Sequence, residues 1–163
     1  MIYLKYLKYV TLHKFYVMIE CFKRGLYVQG ILHDISKLHP DEFNAYAKYT
    51  AVFFNNDIDK DTIDENTKNE IKSNFDMAWF HHKRYNKHHW QYWATPESGN
   101  TLKAMPIPRK YLEEMVCDWI GANRVGNNSQ PNWPSKFYDK VKYEFILHSD
   151  TRAILEEIIK EYD

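Results

Sequence analysis

MIYLKYLKYVTLHKFYVMIECFKRG, residues 1–25, carries the reading that decides the fold. Leu4, Leu7, Val10/Thr11, Lys14/Phe15, Met18 and Cys21/Phe22 recur at three- and four-residue steps, which is the stripe of a helix. Lys23 and Arg24 then form a basic last turn, and Gly25 supplies the stop. Working outward, Leu26 to Asp34 reads as a short apolar piece. Pro40 opens a third helix, with Asp41 and Glu42 complementing its dipole and Phe43, Tyr46, Ala47, Thr50 and Phe54 carrying its apolar side. The acidic stretch 55–65 reads as a solvated loop whose spacing fits no calcium-binding loop. A long helix is predicted from about Asn66 to Lys87, with Ile71, Phe75, Ala78/Trp79 and His82 on one stripe.

Residues 90–107 read as irregular, Arg109 to Asn123 as a helix, and 123–134 as a polar loop. Ser135 and Ser149 are placed to cap two final helices, the last with Leu155, Ile158, Ile159 and Tyr162 as its core stripe. The expectation is one all-α domain over residues 1–163, with no repeat and no linker.

Composition narrows the function. The 22 Lys+Arg balance 22 Asp+Glu when the eight histidines are counted as neutral, which argues against a general DNA-coating protein and makes nucleic acid an unexpected partner. Hydrophobic residues at 44% and aromatics at 17% exclude a disordered chain. Five glycines and six prolines leave little room for the turns of an all-β fold. No apolar run reaches the roughly 18 residues of a membrane span, and the lysine-studded N-terminus does not read as a signal peptide. Cys21 and Cys117 read as isolated reduced thiols, so a cytoplasmic location is expected.

The histidines are clustered. His33 adjoins Asp34 in HisAspIleSerLys (33–37), His13 lies twenty residues upstream, and His81, His82, His88 and His89 fall within nine residues. Asp118 sits in MetValCysAspTrpIle, an apolar setting where an unpartnered carboxylate costs several kcal/mol, so it needs a cation or a donor.

The order His13…His33-Asp34…His82…Asp118 resembles the HD-domain superfamily of metal-dependent phosphohydrolases, all-helical proteins named for the His-Asp doublet. HisAspIleSerLys, HisHisLysArgTyrAsnLysHisHisTrp and GluMetValCysAspTrp also look like a group of bacterial and phage proteins within it. Lys37 after the doublet and the paired His81-His82 are similar to the HD-GYP cyclic-dinucleotide phosphodiesterases, but the Gly-Tyr-Pro element is absent, which weakens a cyclic-dinucleotide substrate. The resemblance implies a single HD-like helical bundle.

Residue chemistry agrees with that implication. Imidazole and carboxylate ligands suit Mn, Fe, Co, Ni or Zn. His13, His33, Asp34 and Asp118 would hold one ion, and His82 with His89 a second, so one or two ions per chain are expected, with Asp34 bridging them or orienting the attacking water. Asp34 and Lys37 are the candidate catalytic residues, Lys37 being placed to neutralise a phosphate. Lys83, Arg84 and Lys87 form a basic edge among the histidines, and His81, His88 and Trp90 complete the candidate contacts to a small anionic, phosphate-containing substrate. Metal at these histidines would make the pocket strongly cationic.

Plainer readings stand beside these. His13 would serve as a satisfied core histidine, Asp118 would pair with Arg84 or Arg124, His88 and His89 would cap carbonyls, and Trp79 and Trp119 would be core. The expected function is a divalent-metal phosphohydrolase. The alternatives are an HD-domain di-iron oxygenase, in which Lys37 is equally at home, and a non-catalytic nucleotide-binding helical protein.

Overall fold

The first helix, α1 (Ile2–Lys23), ends where Gly25 adopts φ 72, a left-handed conformation that a glycine takes without a Cβ clash. A computed structural model describes residues 1–55, 57–126 and 132–162. After α1 come α2 (Tyr27–Leu32), a 3-10 turn over Ile35–Leu38, α3 (Pro40–Phe53) and α4 (Glu65–Tyr85). A small hairpin of β1 (Ala94–Glu97) and β2 (Thr101–Ala104) precedes α5 (Arg109–Val125), α6 (Trp133–Val141) and α7 (Ser149–Lys160). The fold is therefore all-α apart from this hairpin, and among the described residues no helix is long and apolar enough to cross a membrane.

α1 is the axis of the molecule. It lies along α5 on one side and against α2 and α3 on the other; α3 packs on α4, and α5 also packs on α6 and α7. One core cluster joins Leu112, Met115, Val116 and Trp119 of α5 to Tyr138 of α6 and Leu155, Ile158 and Ile159 of α7. A second joins Tyr6 and Val10 of α1 to Ala45, Tyr46 and Ala47 of α3 and Ala78 of α4. A third, small one is made of Val17, Cys21 and Cys117 at the α1–α5 contact.

Four expectations are corrected. The α1 stripe holds only in part: Val10 and Cys21 are buried, together with Tyr6, His13, Val17 and Glu20, but Leu4 is 71% exposed and Leu7 and Phe15 are also exposed. α1 is apolar on both sides, so periodicity establishes the helix but not the face it buries. Cys21 and Cys117 are not isolated; they are free thiols in one cluster, brought together because α1 and α5 cross there. The irregular stretch 90–107 contains the hairpin, Ala94 opposite Ala104 and Glu97 opposite Thr101, turning through Gly99 and Asn100 at positive φ. Its strands are four residues long and almost wholly exposed, so no alternation marks them. Ser149 is the first residue of α7, and the cap is His148, whose Nδ1 accepts from the Asp150 N–H at 3.2 Å; Ser135 lies inside the first turn of α6. In the polar stretch expected over 123–134, residues 127–131 lie outside the described residues.

Gly121 fixes how closely α1 and α5 approach. A Cβ there would collide with the Val17 side chain and lie 3.1 Å from the Val17 backbone nitrogen. Gly121→Ala gains about 1 kcal/mol of helix propensity but forces the helices apart, at about 1–3 kcal/mol. The expected result is a lower urea midpoint at unchanged m-value, partly restored by adding Val17→Ala.

Candidate metal centre

His13 projects from the middle of the buried side of α1, and Lys14 beside it donates to the His33 backbone carbonyl. The chain breaks after α2: His33 is extended and Asp34 adopts φ 51, ψ 26, a left-handed conformation that aspartate tolerates better than most residues. This bend starts the 3-10 turn that returns Lys37, whose Nζ lies 2.5 Å from Asp34 Oδ2. α4 carries His82 and stops at Tyr85; the Asn86 side-chain amide donates to the His82 carbonyl and to Ser36 Oγ, both at 2.9 Å. Because the helix stops there, the following turn swings His88 inward until it is 2% exposed. α5 supplies Asp118 and, one turn before it, Glu114.

These residues converge on Asp34, which is fully buried. Its Oδ2 lies 3.4 Å from His13 Nε2 and 3.5 Å from His33 Nε2. Its Oδ1 lies 3.3 Å from His82 Nε2 and 3.4 Å from His88 Nε2. Asp118 Oδ1 adds contacts of 3.0 Å to His13 Nε2 and 3.5 Å to His33 Nε2. Among the described residues two groups share Asp34, His13/His33/Asp34/Asp118 and Asp34/His82/His88/His89, each with one donor atom per residue within 4.8 Å of all the others, and a third, His33/His88/Glu114, lies beside them.

The opposite edges of three rings are tied down. His33 Nδ1 and His88 Nδ1 meet Glu114 Oε1 at 3.0 and 3.2 Å, and His82 Nδ1 meets Glu42 Oε2 at 3.0 Å. Ser36 Oγ also donates to Glu42 Oε2, at 3.0 Å. Carboxylates that hold Nδ1 in this way orient a ring and leave its Nε2 free for a ligand.

The Nε2 atoms of His13, His33, His82, His88 and His89, and Asp34 Oδ1, are buried without a hydrogen-bond partner, and Asp34 Oδ2 has only the Lys37 ammonium. So many orphaned donors and acceptors facing one point would each cost about 1–3 kcal/mol if nothing engaged them. The charge count agrees. Asp34, Asp118, Glu42 and Glu114 outnumber the two ammonium groups beside them, Lys37 and Lys14, so before any ion binds or ring protonates the centre is anionic rather than cationic. Burial alone would raise the Asp34 carboxyl, but His33, Lys37 and His82 hold it well below the usual carboxylate range. Burial opposes a charge on His33, yet Asp34, Asp118 and Glu114 push that ring up to about 10. Burial, together with His88 and His82, holds His89 well below its ordinary value, so its ring is neutral. A cation entering the centre replaces protons on His33 and its neighbours. The donor set therefore fits a metal ion.

The sequence-derived candidates separate into two sets. His13, His33, Asp34, Lys37, His82, His88, His89 and Asp118 come together. His81 does not reach the ligands; its Nδ1 meets Glu42 Oε1 at 2.5 Å and it lines the groove between α3 and α4. Lys83 lies over Trp79, Arg84 over Phe80, and Lys87 over Tyr92 and Tyr111, so the basic edge points along the surface. Trp90 walls a cavity of about 300 Å³ with Trp79, Trp119, Trp133 and Phe137, and this cavity reaches His88, His89 and Asp118. Arg124 pairs with Glu20, not with Asp118. Sequence reasoning missed Glu42 and Glu114. The α5 periodicity signals Glu114, four residues before Asp118 and on its face; Glu42 has no comparable signal, since His82 lies forty residues on.

Glu114→Gln should weaken divalent-metal affinity by about 10- to 100-fold while leaving every ligand in place. Competition against a chromophoric chelator measures this, and an unchanged affinity would show that Glu114 does not orient the rings.

No curated protein and no solved structure matches the chain. A family model described as "Family of unknown function (DUF5662)" matches residues 3–161, a span that contains every residue of the centre. The chain belongs to the DUF5662 family.

Proposed function

We propose that the protein is a divalent-metal-dependent phosphohydrolase of the HD-domain superfamily, acting on a nucleotide or another small phosphate ester. One observation carries this reading: the two oxygens of Asp34 face separate sets of partnerless imidazole Nε2 atoms. His13, His33 and Asp118 would hold one ion and His82, His88 and His89 a second, with Asp34 available to both. Nitrogen and oxygen donors without thiolate suit Mn, Fe, Co, Ni or Zn. When bound, such ions supply Lewis-acid charge to phosphoryl oxygens and acidify water.

The chain's own residues do the rest. Glu114 and Glu42 keep His33, His88 and His82 in one tautomer and one orientation. Lys37 supplies the positive charge beside Asp34 that a phosphoryl group needs. The aromatic-walled cavity receives the organic part of the ester, with Asp118 on its rim, 18% exposed. In the reaction a water oxygen bonds to phosphorus, the ester P–O bond breaks, and the departing alcohol takes up a proton. Two buried free thiols suit a reducing cytoplasm.

The test is phosphate release from nucleotides and sugar phosphates after reconstitution with Mn, Fe, Co, Ni, Zn or Mg. Release should require metal, fall to background in Asp34→Ala, and drop about a hundredfold in kcat in Lys37→Ala. No release with any ion, or an Asp34→Ala variant equal to wild type, retires the reading. Two bound irons with substrate-dependent oxygen consumption would replace it with an oxygenase.

A further inference from the structure

Tyr6 and Tyr46 are core residues with a fault. They are 4% and 7% exposed, and their rings stack at 6.0 Å and 13° between α1 and α3. Tyr46 also meets the His82 ring edge-on at 6.2 Å. Buried phenols normally find a hydrogen-bond partner, yet both hydroxyls are buried with none. Phenylalanine at either position would fill the same space without that penalty, so packing alone does not account for the hydroxyls.

Both phenols border a cavity of about 320 Å³ that Lys37 also lines. The Lys37 ammonium lies 5.8 Å from the centre of the Tyr46 ring and contacts Asp34 with one of its three hydrogens, leaving two to donate. A phenol is protonated at neutral pH, so both hydroxyls are donors. The two residues that carry partnerless O–H groups and the partly used ammonium thus line one cavity, on the Lys37 side of the centre, and the aromatic-walled cavity that His88, His89 and Asp118 line is a separate one.

We infer that Tyr6, Tyr46 and Lys37 form an oxyanion subsite that binds the non-bridging oxygens of the substrate's phosphoryl group. The inference rests on the phosphohydrolase reading for the identity of its ligand. It deepens that reading by dividing the substrate: phosphoryl oxygens on the tyrosine side, organic group among the tryptophans.

The experiment is calorimetric titration of metal-loaded protein with inorganic phosphate, using wild type, Tyr6→Phe and Tyr46→Phe. Each variant should bind phosphate about tenfold more weakly or worse, as expected for losing a hydrogen bond to a charged group. Metal content should be unchanged and the melting temperature equal or higher, because the substitution removes an unpartnered buried hydroxyl. Wild type that binds no phosphate, or variants that bind it as wild type does, overturn the subsite. Ester hydrolysis with tyrosine-independent phosphate binding overturns the subsite and leaves the hydrolase reading intact. Tyrosine-dependent phosphate binding without hydrolysis of any ester supports the subsite and retires the hydrolase.

Discussion

A fully buried aspartate with four imidazoles turned toward it is the constraint on which the rest of the structure depends. Asp34 receives His13 from α1, His33 from its own bend, His82 from α4 and His88 from the turn after α4. An anion at the crossing of several helices is tolerable only if cations meet it there. The surrounding features serve this need. α1 must present His13 rather than Leu4 or Phe15 to the interior, and α4 must stop at Tyr85 so that His88 can turn in. Gly121 must lack a side chain so that α5 can bring Asp118 close to α1.

The two ends of the histidine rings divide the work. At Nδ1, Glu114 and Glu42 set direction and tautomer; at Nε2, lone pairs or protons are left facing Asp34 without hydrogen bonds. One glutamate serving both His33 and His88 couples the two ligand groups mechanically, since neither ring can reorient without disturbing the other's anchor. Beyond the rings, two cavities flank the centre: Lys37, four tyrosines, Phe54 and Phe75 border one, and tryptophans, phenylalanines, His88, His89 and Asp118 border the other.

Much of the fold and part of the centre were legible in the chain. The α4 and α7 stripes, the Gly25 stop and the Pro40 start need only local physics, and the helices lie where that physics puts them. Asp118 stands out as a carboxylate in an apolar neighbourhood, whereas His13, the His33-Asp34 doublet and His82 stand out by clustering and by an order that resembles the HD-domain pattern. A helix continued through residue 89 would put His82 and His89, seven residues apart, on one face. The helix ends at Tyr85, His88 becomes fully buried, and His89 joins the group from the turn instead. The basic edge was read from proximity in sequence, but Lys83, Arg84 and Lys87 lie over aromatic rings on the outside of the molecule.

By itself the sequence determined the helical class, the approximate span of most helices and the inventory of polar groups that a core cannot leave alone. Those follow from periodicities of three and four residues and from transfer energies, which act locally. Only the tertiary structure decided which face of α1 is buried, which of His88 and His89 turns fully inward, and that Glu42, Glu114, Tyr6 and Tyr46 border the centre. Each of those outcomes depends on a partner brought in by helix crossing, as His33 is to Glu114 across 81 residues of chain, and no short-range pattern encodes such a meeting.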